Sequence, residues 1–155
     1  MLDTDKLTYA CRACGHTFDA IEQPEQCPKC AAIGQPRDLP TLENDLIARQ
    51  NDAFRKGMIE GLPRDMLGRI VKTQGISALG RDFEVAAYFA VAGDTVFSED
   101  NDPWGARDFG SVIVNDTKVW WKIDLYNNDF DGGSEAPSVL TQTRRVLTML
   151  LPSEY

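Results

Sequence analysis

A chain of 155 residues with 43% hydrophobic and 26% charged side chains can fill one core of modest size, and its composition is too mixed for a disordered or fibrous protein. The net charge is −8, and residues 94–135 alone hold ten carboxylates against Arg107, Lys118 and Lys122. A field of that sign counts against direct phosphate binding by this segment and favours a cationic partner.

The chain opens Met1-Leu2-Asp3-Thr4-Asp5-Lys6, with no basic segment leading into an apolar one, and no apolar run approaches a membrane span. A cytoplasmic protein with no membrane partner is therefore expected. In that reducing setting the next feature, two CxxC pairs, reads as metal ligands rather than cystines. Cys11, Cys14, Cys27 and Cys30 have the spacing of one tetrahedral site: two intervening residues let a tight turn aim both sulfurs at one ion, and a short hairpin brings the second pair opposite. Gly15, just past one pair, suits a left-handed turn, and Pro28 stiffens the other. His16, the only histidine in the chain, is not needed as a ligand and is expected on the hairpin surface. Zinc and iron both accept four thiolates, so the ligands leave the metal open. Zinc is preferred, with iron as the alternative, because no redox partner domain or di-iron helix pair is evident. The tips of the knuckles, with Arg12, Lys29 and Arg37 nearby, are candidate partner contacts.

Gly34-Gln35-Pro36-Arg37-Asp38-Leu39-Pro40 has the composition of a connector. This divides the chain into a metal-binding module at 1–33, a linker at 34–40 and an acidic domain at 41–155. Thr41 is expected to cap a helix that buries Leu42, Leu46, Ile47, Ala53, Phe54 and Met58, turns Asp45, Asp52, Arg55 and Lys56 to solvent, and ends across Gly57, Gly61 and Pro63. A short strand follows over 69–73, then a helix over 83–92 capped by Asp82. Ser111 to Val114 and Lys118 to Tyr126 form a hairpin about Asn115-Asp116, with Val119, Trp121, Ile123 and Leu125 on one face. Trp120 lies on the opposite face, free to cover a helix or meet a protein partner. The spacing of Leu140, Thr143, Leu147, Leu150 and Leu151 predicts a last helix over 138–151, stopped by Pro152. The fold class is α+β: a small metal-stapled β-knuckle followed by an α+β domain with an antiparallel hairpin and flanking helices.

Tyr9-Ala10-Cys11-Arg12-Ala13-Cys14-Gly15-His16-Thr17-Phe18, followed by Cys27-Pro28-Lys29-Cys30, resembles the rubredoxin-like module and the broader zinc-ribbon class. Ala31 stands where those modules often place glycine. Residues 41–155 resemble an uncharacterised domain-of-unknown-function family of small bacterial proteins often found on plasmids and other mobile elements. The blocks that carry this resemblance are Asn51-Asp52-Ala53-Phe54-Arg55, Asp100-Asn101-Asp102-Pro103-Trp104-Gly105-Ala106-Arg107-Asp108-Phe109-Gly110, Val119-Trp120-Trp121-Lys122-Ile123-Asp124 and Arg145-Val146-Leu147-Thr148-Met149-Leu150. The family usually has Glu-His where this chain has Ala106 and Arg107, so the resemblance transfers no acid–base pair.

The acidic run imitates the start of a calcium loop, but Trp104 and Ser111 occupy its fifth and twelfth positions, where oxygen ligands are required. Asp100, Asp102, Asp108, Asp129 and Asp131, with Trp104, are instead candidate contacts to a basic protein surface or a nucleic-acid-binding protein complex. The expected function is a non-enzymatic metal-binding interaction protein. A mobile-element setting, implied by the resemblance, makes an inhibitor of a nucleic-acid-handling host defence complex one form of it. A carboxylate-based metal-dependent hydrolase and a rubredoxin-like electron carrier are the alternatives.

Overall fold

In the computed structural model, which describes residues 5–155, the chain begins with an antiparallel pair, β1 (Leu7–Ala10) and β2 (Thr17–Ala20). Most of the reading at Met1-Leu2-Asp3-Thr4-Asp5-Lys6 falls on residues 1–4, outside the described residues. Among the described residues no helix is long and apolar enough to cross a membrane. After the first hairpin come α1 (Leu42–Glu60), β3 (Gly68–Lys72), α2 (Gln74–Ala78), α3 (Arg81–Ala92), β4 (Phe109–Val114), β5 (Thr117–Tyr126) and β6 (Arg144–Leu150). The arrangement is α+β, a small hairpin carrying the cysteine cluster followed by a helix-and-sheet domain whose four-stranded sheet is ordered β3-β6-β5-β4.

Thr41 caps α1 as its sequence requires, its hydroxyl accepting the Asn44 N–H at 3.1 Å. The helix runs past Gly57 and stops at Gly61, whose φ of 99° and N–H bond to the Gly57 carbonyl close it. Its buried side departs from the apolar arc. Asp45, Asn51 and Arg55 are buried along with Ile47, Ala48 and Phe54, while Leu42 and Leu46 stay exposed. The polar residues are inside because each has a partner there, as described below.

Helix α3 starts one residue before Asp82; Gly80 is its cap and Asp82 lies in its first turn. The hairpin is as expected, with Asn115 and Asp116 both at positive φ, 49° and 65°, the conformation a two-residue primed turn demands. Val119, Trp121 and Ile123 are buried on one face of β5, and Leu125 is half-buried. Trp120, opposite, packs edge-on against Phe109 and Tyr155.

The predicted final helix is instead the central strand β6, preceded by one 3-10 turn at Leu140–Gln142. It pairs antiparallel with β5, placing Leu147 opposite Ile123 and Met149 opposite Trp121, and parallel with β3, placing Leu147 opposite Ile70. Thr143, Arg145, Leu147 and Met149 are all buried, a period of two in which two members are polar. That hid the alternation from a reading based on apolar spacing.

Helices α1 and α3 cover one side of the sheet over a core of Phe54, Phe83, Val91, Trp121, Leu147 and Met149. The Trp121 indole crosses β4 at Gly110, where a Cβ would lie 2.3 Å from its Nε1, so only glycine fits. The indole N–H donates to buried Asp94 at 2.9 Å.

Candidate metal centre and the loop that rests on it

The four cysteines converge. Cys11 Sγ lies 3.7 Å from Cys30 Sγ and Cys14 Sγ 3.8 Å from Cys27 Sγ, and all four sulfurs fall within 4.8 Å of one another. A tetrahedron with metal–sulfur bonds of about 2.3 Å has edges of about 3.8 Å, which the Cys11–Cys30 and Cys14–Cys27 pairs match, so the set could hold one thiolate-bound cation. Cys11 and Cys27 are buried, and Cys14 and Cys30 are exposed.

The two knuckles repeat one backbone design. Cys11 N–H donates to the His16 carbonyl and Gly15 N–H to the Cys11 carbonyl; sixteen residues on, Cys27 N–H donates to Ala32 and Ala31 N–H to Cys27. Gly15 has φ 80° and Ala31 φ 60°, so the alanine adopts the same left-handed turn despite its Cβ. Backbone amides also point at sulfur, His16 N–H to Cys14 and Lys29 N–H to Cys27, which favours the thiolate. The Cys27 thiol is lowered to about 7, first by the Cys30 backbone N–H, with burial opposing and the Lys29 N–H assisting. His16 stacks on Phe18 at the hairpin surface and takes no part in the sulfur cage.

Arg12, between the first two ligands, turns inward rather than outward to a partner. Its Nε donates to Asp45 on α1 at 3.1 Å, Nη1 to the Arg37 carbonyl at 2.9 Å and Nη2 to the Gly105 carbonyl at 2.7 Å. The 34–40 segment is held the same way, with Leu39 buried against Cys11 and Cys27 and its carbonyl bonded by Gln23. Gly105, at φ 70°, is where the acidic loop meets this pin; a Cβ there would lie 2.6 Å from Arg12 Nη1 and 2.9 Å from Arg37 Cα.

Within the loop Asp102 is buried, and its carboxylate accepts the Arg107 N–H at 3.0 Å. Burial pushes its pKa up, against the Arg107 amide and the Arg12 and Arg107 charges. Asp102 thus holds the loop's shape instead of facing a partner. Asp100, Asp108, Asp129 and Asp131 are exposed, and so is Trp104. Asp129 and Asp131 sit on the separate β5–β6 connection around Asn127, whose side chain bonds both the Asp129 N–H and the Asp131 carboxylate. Among the described residues the carboxylates of the acidic run do not gather into a set of three able to hold an ion; the four sulfurs are the set that does.

Sequence patterns did not reveal how the remaining blocks meet. Asn51 donates to the Ala106 carbonyl and accepts from Arg145 Nε, both at 2.9 Å. Asp52 binds Arg55 at 2.9 Å and also pairs with Arg107. Arg55 reaches the Val91 and Ala92 carbonyls at the end of α3 and lies over the Phe97 and Trp121 rings. Arg145 is held by neutral oxygens, those of Asn51 and Gln50, and burial draws its pKa down to about 10. One polar cluster therefore joins α1, β6 and the acidic loop.

No curated protein and no solved structure matches the chain. A family model described as Protein of unknown function (DUF3768) matches residues 72–154, more than half of the chain, from the end of β3 to the final turn. The protein therefore belongs to the DUF3768 family of proteins of unknown function.

Proposed function

We propose that the protein is a non-enzymatic, zinc-stapled interaction protein that docks exposed carboxylates on a basic protein surface. Loop 98–108 carries this reading. Trp104 stands 68% exposed between Asp100 and Asp108, while Asp102, Gly105, Ala106 and Arg107 of the same loop are each bonded to their surroundings. An aromatic anchor on a loop ordered before binding loses little entropy on docking, and flanking carboxylates steer a cationic partner. The exposed Asp129 and Asp131 extend the acidic surface. The mobile-element setting implied by the family resemblance makes the partner a nucleic-acid-handling host complex whose phosphate-binding surface the carboxylates occupy.

Capture of partners from the native host, wild type against D100K/W104A/D108K and against D129K/D131K, tests this. A basic protein retained by the wild type and lost with the loop variant is the expected result; equal recovery with all three proteins ends the proposal. A cage closed by four sulfurs leaves no position for substrate, which fits a structural ion, and zinc is preferred over iron because no redox partner domain accompanies the knuckle among the described residues. A rubredoxin-like carrier is the second reading, favoured by the exposure of Cys14 and Cys30. Elemental analysis decides between them: colourless protein with one zinc per chain supports the first, and red protein with iron the second.

A further inference from the structure

Between the first knuckle and α1 lies a cleft of about 540 Å³, with Arg107 at its edge. Its volume falls in the range of small-molecule sites, and its lining runs against the charge of the chain. Three guanidiniums, from Arg12, Arg49 and Arg107, meet there with a single carboxylate, Asp45. That carboxylate is already engaged, one oxygen by Arg12 at 3.1 Å and the other by Arg49 at 3.0 Å. Arg107 is anchored from behind by Asp52 and lies over the Phe97 ring. The carboxylates thus act as struts. Arg49 is fixed through Nε alone and Arg107 through Nη1, leaving uncommitted N–H groups on side chains 77% and 38% exposed, whereas every nitrogen of Arg12 is bonded within the protein.

The apolar part of the lining is equally distinctive. Leu42 and Leu46 belong to the arc that α1 should bury, yet each is 46% exposed, and both line this cleft. A pair of leucines left uncovered beside two guanidiniums suits a ligand with an apolar body and a compact anionic end. Two guanidiniums with uncommitted N–H groups, in the same lining as a third fixed charge, match a dianion better than a monoanion, and their planar forks fit phosphate oxygens two at a time.

We propose that this cleft binds a phosphate monoester carrying an apolar or aromatic group, with Arg49 and Arg107 on the phosphate and Leu42 and Leu46 against the organic part. Arg12 supplies charge and, through its place between Cys11 and Cys14, makes the metal knuckle one wall of the site. The site includes Arg107 of loop 98–108, but ligand binding there does not require that the loop dock a protein partner.

The test uses the full metal-loaded chain, with 4-nitrophenyl phosphate, inorganic phosphate, benzoate and the uncharged 4-nitrophenol as probes, read by calorimetric titration and thermal shift. Expected is saturable binding of the ester, weaker binding of inorganic phosphate, little of benzoate or the phenol, and an affinity that falls with added salt. Arg49→Ala, at a residue with a largely exposed side chain, should weaken the ester about 10- to 100-fold. Arg107→Gly, which keeps the φ of 54° accessible while removing the cation, should do the same. Leu46→Ser should cost more affinity for the ester than for inorganic phosphate. Absence of ester binding, binding that both arginine variants retain, or benzoate bound as tightly as the ester would each overturn the proposal. If Arg107→Gly proves unstable, Arg49→Ala decides alone.

Discussion

Around the four sulfurs the buried apolar set consists of Cys11, Cys27 and Leu39, with Phe18 against them. Under the sheet, Phe54, Trp121, Leu147, Met149 and their neighbours form a continuous core. Burying one leucine contributes about 1.5–3 kcal/mol, the scale of ordering one or two residues. The knuckle has too little hydrophobic burial to hold itself, and the sulfur cluster that could bind an ion is what it has in place of the sheet domain's core. Yet the two are not strung on a loose tether, because Arg12 fastens the knuckle to α1, to the 34–40 segment and to the acidic loop. The region built on the four sulfurs thus holds in place a loop of the region built on a hydrophobic core.

Removing the ion should separate the two most sharply. Structural zinc contributes about 10 kcal/mol or more to small domains that fold around it, so Cys14→Ser or exhaustive chelation should abolish amide protection across 7–33 while Trp121, Leu147 and Met149 keep theirs. Hydrogen exchange read by mass spectrometry checks this. Simultaneous loss of protection in both regions would make them a single cooperative unit.

The converse perturbation is Phe54→Ala, which removes a fully buried ring and should cost the sheet domain about 3–5 kcal/mol. Urea unfolding followed by tryptophan fluorescence, to which buried Trp121 contributes, reports the loss. Metal content should stay at one ion per chain, and a parallel fall in metal would show that the knuckle leans on the sheet. Smaller again is Arg12→Ala. It removes a charged hydrogen bond to Asp45 and two to carbonyls, about 1.5–3 kcal/mol, and should raise exchange in 98–108 without releasing the metal. If that loop stays protected, Asn51 and Asp52 hold it without help from the knuckle.

The same contrast explains what could be read from the residues. The convergence of the four cysteines was legible because ligand-type spacing is a local constraint, and the 111–126 hairpin because apolar residues alternate with polar ones about an Asn-Asp turn. Strand β6 was not, since its buried register begins with Arg145, and Thr143 just before it is buried too, residues that a hydrophobic pattern assigns to water. Asp45 and Arg55 misled the reading of α1 likewise. Apart from the local Asp52–Arg55 pair, these buried guanidiniums are sustained by partners distant in sequence, Asn51 for Arg145 and the end of α3 for Arg55, which no local window contains. Leu42 and Leu46 failed in the opposite sense, being apolar on a helix face that meets a cleft.

Acid should release the two regions in turn. In the knuckle, protons compete with the ion for sulfur, so metal is lost as pH falls and thiolates are protonated. The sheet domain carries a weaker clasp at lower pH. Glu154, in the final turn, accepts from the Thr73 hydroxyl at 2.5 Å and from the Leu151 and Gly75 amides at 2.9 and 3.0 Å, and these bonds, the Thr73 hydroxyl first, hold its pKa below the ordinary carboxylate value. A carboxyl whose folded pKa is depressed stabilises fully above its unfolded pKa, and that stabilisation fades as pH falls through the folded value. Glu154→Gln should therefore lower the urea midpoint slightly at neutral pH, and the gap to wild type should close on acidification, after the metal has gone. A gap that stays constant into acid would mean that Glu154 acts through shape and not through charge, and the closing turn would then depend on Pro152 and the packing of Tyr155 against Trp120.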